Sequence, residues 1–156
     1  MKQHSNNIQT TFNMNLTTHF TLEELTHSDT AKAKGIDNTP APAQIDNLRK
    51  LARNVLEPLR TQFNRPIQIS SGYRSPELNK IVGGKNNSQH LLGEAADISI
   101  PQQNMNIAKQ WLDYIRKNLD YDQLILEHNA NKNYWIHVSY TTRRPNRRQY
   151  IPNLQK

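Results

Sequence analysis

From Pro42 onward the apolar residues Ile45, Leu48, Leu51, Ala52, Val55, Leu56, Leu59 and Phe63 recur at three- and four-residue spacing. This pattern predicts the longest amphipathic helix of the chain and its central packing element. Pro58 falls inside the run and has no N–H to give, so the helix is expected to kink or divide there. A second run of the same period, Ile107, Ala108, Trp111, Leu112, Ile115 and Leu119, predicts a helix from about Asn104 to Asn118. Two shorter helices are announced by their ends. Thr21-Leu22-Glu23-Glu24 is a capping box, with Phe20 and Leu25 placed as a hydrophobic staple, and opens a helix that should end by Gly35. Ser75-Pro76-Glu77 is an N-cap with proline in the first turn, and Gly83-Gly84 stops the helix it begins.

Period-two alternation marks the strands: Arg65 to Ser70, then Asp97-Ile98-Ser99-Ile100 ended by Pro101, then Asp122 to Glu127 and Tyr134 to Tyr140. Helices first and strands later, with hairpin-length connections among the last strands, predict an α+β fold with a small antiparallel sheet and flanking helices. Ile98 and Ile100, Leu124 and Leu126, and Ile136 and Val138 each line one side of their strand. Asp97 and Ser99, Gln123 and Glu127, and His137 and Ser139 line the other. For the hairpin to keep apolar beside apolar, Glu127 must share a face with His137, for example by standing opposite Trp135. The expected organisation is a polar N-terminal arm over 1–19, a single domain over 20–150 and a C-terminal tail over 151–156.

Composition narrows the chemistry. The 156 residues can bury a real core in one domain, and a formal charge of +7 would attract polyanions such as nucleic acid, an anionic lipid surface or an acidic cell wall. The chain has no cysteine, which excludes disulfides and thiolate metal sites. No apolar run reaches the length of a membrane span, and the first residues lack the apolar core of a signal peptide. A protein acting outside the cytoplasm would then need another route of release.

Three residues stand where turn or strand chemistry directs them. His90 and Asp97 lie seven positions apart with Gly93 between them, and His137 sits in the last predicted strand. Two histidines and one aspartate can hold Zn²⁺ and leave a fourth position open, as in a catalytic rather than a structural site. Glu127 reads either as a solvated strand-end charge or as a general base, with Glu94 and His128 as rival bases. Arg74 reads either as a surface arginine pairing with Glu77 or as a guanidinium facing an anionic substrate. Arg143, Arg144, Arg147 and Arg148 read as a solvated basic tail; a nucleic-acid role ranks lower, because no aromatic interleaving accompanies them.

The segments Ser-Gly-Tyr-Arg-Ser (71–75), Ser-Gln-His-Leu-Leu-Gly-Glu-Ala-Ala-Asp (88–97) and Trp-Ile-His-Val-Ser (135–139) resemble, in this order, the zinc D-Ala-D-Ala carboxypeptidases of peptidase family M15. The likeness is greatest to the small single-domain phage and bacterial branch of peptidoglycan peptidases and endolysins, and it spans about Phe20 to Tyr150. It implies a fold like that of these peptidases and of the Hedgehog signalling domain, with zinc on His90, Asp97 and His137. It also implies that Arg74 polarises the scissile carbonyl, that Ser88 and Trp135 lie near substrate, and that Glu127 is the catalytic base. Some members carry that glutamate three residues before the last histidine, where this chain has Tyr134, so the base must come from further back. The implied activity is hydrolysis of a peptide bond in peptidoglycan stem or cross-bridge peptides, one involving a D-amino acid. The alternative is a zinc-stabilised cell-wall or protein-binding module without catalysis.

Overall fold

In the computed structural model, which describes residues 14–156, both long apolar runs are helical and lie against one five-stranded sheet. The first begins as α2 (Pro42–Leu51) and ends as α3 (Glu57–Phe63), and between them Ala52–Leu56 is a π-helical segment. Pro58 explains it. Without an N–H at that position the hydrogen-bond register widens, and the Glu57 N–H donates to the Ala52 carbonyl five residues back. The Lys50 carbonyl accepts instead from the Asn54 side chain (2.8 Å). Leu51 and Glu57 keep right-handed helical dihedrals, so the helix is re-registered rather than broken.

The capping box forms, with Thr21 N–H donating to Glu24 Oε2 (2.8 Å) and Glu24 N–H to Thr21 Oγ1 (3.2 Å). The single helix expected after it does not. Residues 22–26 make a turn, and extended Ser28 (φ −151°, ψ 118°) caps a separate helix, α1 (Asp29–Lys34). Gly35 ends α1 in the left-handed region, as expected. The N-terminal arm is corrected in part. Residues 1–13 lie outside the described residues, but Leu16 is buried in the core and His19 binds the Glu57 carboxylate through its backbone N–H and Nδ1 (both 2.7 Å).

The remaining elements are β1 (Ile69–Ser71), α4 (Pro76–Ile81), a 3₁₀ turn (Gln89–Leu92), β2 (Ala95–Ser99), α5 (Met105–Asn118), β3 (Gln123–His128), β4 (Tyr134–Ser139) and β5 (Gln149–Gln155). The sheet order is β1-β2-β4-β3-β5. Strands β1 to β4 pair antiparallel, but β5 pairs parallel to β3, so the sheet is mixed and not wholly antiparallel. The residues read as a C-terminal tail thus form most of an edge strand. Pro152 is tolerated there because an edge strand has one unpaired side, and the ladder shifts register between Ile125 and Glu127 to step past it. Ile98, Leu124, Ile136 and Val138, all fully buried, join Leu48, Leu51, Val55, Leu56 and Leu59 of the first helical run and Ala108, Trp111 and Ile115 of α5 in one core. The opposite face of the sheet carries the polar side chains.

Candidate metal centre

The alternation in the strands decides which side chains meet. Asp97 of β2 stands directly opposite His137 of β4, and Glu127 of β3 stands opposite Trp135, two residues before His137. Side chains on opposed residues share a face, so Asp97, His137 and Glu127 emerge together. His90 reaches them from the 3₁₀ turn. Ser88 caps that turn, its Oγ accepting from the His90 N–H (3.2 Å), and Gly93 closes it at φ 72°. A Cβ at Gly93 would lie 2.5 Å from the Gln44 carbonyl oxygen of α2, so the turn can dock there only with glycine.

His90, Asp97 and His137 are all buried, and their ligand atoms lie within 4.8 Å of one another. His137 Nδ1 is 3.0 Å from Asp97 Oδ1, and His90 Nε2 is 3.3 Å from the same oxygen. Ligand atoms arranged tetrahedrally around zinc at ordinary bond lengths are about 3.3 Å apart, so these edges fit such an ion. The protonation pattern fits as well. His90 Nδ1 lies 2.7 Å from the Gly72 carbonyl, which can only accept, so Nδ1 carries the hydrogen and Nε2 presents a bare lone pair. That lone pair is buried with no hydrogen-bond partner and faces a carboxylate oxygen, a second acceptor. Two acceptors at this distance call for a cation between them. The nitrogen, oxygen and nitrogen donor set suits zinc, and three protein ligands leave a position free for chemistry.

The charges agree. Burial lowers the His90 pKa and so keeps its ring neutral. Burial opposes ionisation of Asp97, yet the hydrogen bond with His137 holds its carboxyl well below the usual range. Glu127 behaves in the opposite sense. Burial, and secondarily the Asp97 charge, raise its pKa despite His137 at 3.8 Å. Its Oε2 is buried without a hydrogen-bond partner, 4.0 Å from Lys156 Nζ.

Arg74 is buried, not on the surface, and does not pair with Glu77. Its Nε donates to Ser71 Oγ (3.1 Å), its Nη1 to Asn79 Oδ1 (3.1 Å), and its Nη2 lies 3.6 Å from Asp97 Oδ2. Asn79 and the Gly72 carbonyl, which hold Arg74 and His90, are contacts that the sequence reading missed. Asn79 lies five residues after Arg74 on α4 with nothing in its surroundings to mark it, and a backbone carbonyl has no sequence signal at all. Of the rival bases, Glu94 is buried but fully engaged by Gln89, Thr141 and Arg143, and these hydrogen bonds hold its pKa down despite the cost of burial. His128 occupies the last position of β3, not a loop, and packs on Tyr134 with ring centroids 4.9 Å apart.

A cleft of about 770 Å³ opens over the cluster. Arg74, Ser88, His90, Glu127 and His137 line it, with the loop 83–92 on one side and Arg143, Arg144, Arg147 and the end of β5 on the other. Trp135, expected beside substrate, is not part of this lining. It is half-buried between Ser99 and Glu127, with a buried indole N–H, and so stands behind Glu127.

The arginines read as a solvated tail are pinned. Arg143 forks onto Glu94, and Arg144 and Arg147 both fork onto Asp122, a fully buried carboxylate at the head of β3. Arg148 donates to the Leu119 and Arg116 carbonyls (2.8 Å each). A family model described as Peptidase M15 matches residues 18–139, a span that contains Arg74, His90, Asp97, Glu127 and His137. No curated protein matches the chain.

Proposed function

The chain belongs to the peptidase M15 family, and from that premise we propose that it is a zinc-dependent peptidase acting on peptidoglycan. Its substrate is a peptide bond of the stem or cross-bridge involving a D-amino acid, cut in the manner of a D,D-carboxypeptidase or an endopeptidase. The observation that carries the reading is the buried, partnerless Nε2 of His90 facing Asp97 Oδ1, with His137 Nδ1 on the same oxygen. His90, Asp97 and His137 would hold the ion. Zinc bound there would supply Lewis acidity and ease the deprotonation of water near neutral pH.

The protein's own groups supply the rest. Glu127, buried beside His137 with its pKa raised, accepts the proton of the attacking water and returns it to the departing amine. A raised pKa suits both halves of that transfer, since the same carboxyl must hold the proton and then release it. Arg74 is held by Ser71 and Asn79 with Nη2 toward the cluster, and it donates to the oxygen on which negative charge develops. Ser88 positions His90 through its backbone N–H and lines the cleft where substrate lies. Among the described residues no helix is long and apolar enough to cross a membrane. A wall substrate requires release from the cytoplasm, by a phage-type lysis route or by another export path.

Zinc content with and without His90→Ala, together with mass spectrometry of purified peptidoglycan after incubation, tests the reading. About one zinc per chain, lost in the variant, and released stem-peptide fragments are expected. Zinc without fragments would leave a zinc-stabilised binding module, and absence of zinc would remove the ligand assignment altogether.

A further inference from the structure

Arg143, Arg144 and Arg147 line the same cleft as His90, His137 and Glu127, and nothing in the proposed hydrolysis uses them. Each is fixed from behind by a buried carboxylate. Arg143 donates to Glu94 through Nε (2.9 Å) and Nη2 (2.8 Å). Arg144 donates to Asp122 through Nη1 (2.6 Å) and Nη2 (3.0 Å), and Arg147 through Nε (3.1 Å), Nη2 (2.9 Å) and its backbone N–H (2.9 Å). Glu94 and Asp122 are almost wholly buried, whereas the three arginine side chains remain 52%, 36% and 48% exposed.

Here three guanidiniums face two carboxylates, which leaves a net positive charge held in place on the cleft wall. Arg143 Nη1, Arg144 Nε and Arg147 Nη1 donate to nothing among the described residues. Lys85 and Lys156 add to the same lining, in which Glu127 is the sole acidic side chain among the described residues. The ordering of these side chains is complete before any ligand arrives, which removes much of the entropic cost of binding.

We infer that Arg143, Arg144 and Arg147 form an anion subsite that takes carboxylates of the peptide substrate away from the bond being cut. This rests on the cleft being a peptidase site. The guanidinium donors left free can bind carboxylate oxygens, and among the described residues the lining has no Phe, Tyr or Trp on which a nucleobase could stack.

Fluorescence anisotropy on the zinc-loaded full chain tests this with two labelled probes, the hexapeptide Ala-Glu-Ala-Glu-Ala-Glu and its glutamine counterpart. The glutamate probe should bind at least tenfold more tightly. Arg147→Lys keeps the charge but loses the free Nη1 donor and the fork onto Asp122, and should lose most of that preference while retaining zinc, with an unfolding temperature lowered by a few degrees at most. Equal affinity of wild type for the two probes would overturn the subsite, without needing any variant to fold. So would an Arg147→Lys chain with its preference intact, since a diffuse field and not a built site would then be responsible. A single-stranded DNA 12-mer that displaces the probe at lower concentration than the acidic peptide itself would also overturn it, in favour of nucleic acid. Because binding is read and not turnover, failure of the peptidase reading is separable: it would appear as intact peptidoglycan beside a preserved preference for glutamate.

Discussion

Glu127 and Gly72 show how differently two residues of one site can be written into a chain. Glu127 has a side chain, so strand alternation could place it on the face of His137, and the register puts it opposite Trp135. Its assignment as base predicts that Glu127→Gln, nearly isosteric, lowers kcat by roughly 10²–10⁴-fold with zinc content unchanged. Turnover equal to wild type would move the base elsewhere. Gly72 acts through its carbonyl, which fixes the tautomer of His90. A Cβ there would stand 2.2 Å from the Leu25 carbonyl oxygen, so Gly72→Ala must displace the backbone that orients the ligand. Loss of such an orienting partner predicts zinc affinity about 10–100-fold weaker, measurable by competition with a chelator. Wild-type affinity in the variant would show that the Gly72 contact does not orient the ring.

At the level of elements, Asp122 is the strongest connection that the sequence did not reveal. It stands immediately before β3 and, through Arg144 and Arg147, fastens the loop that delivers β5 to the edge of the sheet. Asp122→Asn keeps the shape but loses the charge-assisted bonds, and is expected to cost about 2–3 kcal/mol in denaturant unfolding. The Asp122 pKa is lowered, burial notwithstanding, by hydrogen bonds from Arg144 and Arg147. A carboxyl with a lower pKa folded than unfolded binds fewer protons when folded. Its contribution is therefore whole above the unfolded value of about 4 and fades as the pH falls toward the folded one. The gap in stability between wild type and Asp122→Asn should narrow between about pH 5 and pH 2. A gap independent of pH would mean that packing, not charge, holds the loop. The two long helices and the one capped by Ser75 were legible because period and caps are local; the helix expected directly after Thr21 gave way to a turn, and the π segment was not legible because it depends on how the chain around Pro58 re-pairs its carbonyls.

For the whole molecule, metal and stability are linked. Without an ion, two acceptors, the buried His90 lone pair and an Asp97 oxygen, face each other in the cluster, and binding relieves that opposition only in the folded state. At a thousandfold excess over Kd, zinc should stabilise the chain by about 4 kcal/mol. For a protein of this size that raises Tm by roughly 8–16 °C over the chelated protein, readable by calorimetry. An unchanged Tm would mean that the cluster binds no ion in the native fold. The charge of +7 also changes meaning at this scale. Read along the chain, the arginines after Thr141 look like a solvated run; in the fold, two buried carboxylates hold three of them on the cleft wall.

The sequence alone determined what is local or periodic: the helical faces, the caps at Thr21 and Ser75, the strands carrying Asp97, Glu127 and His137, and the face these three share. Those features follow from backbone geometry that repeats every two or 3.6 residues, so a few neighbouring positions suffice to read them. Only the tertiary structure decided the parallel pairing of β5, the burial of Arg74, the saturation of Glu94 and the contact of His90 with Gly72. Each of these joins segments distant in the chain through side-chain forks or backbone carbonyls, and no local pattern encodes which distant partner will satisfy a buried charge.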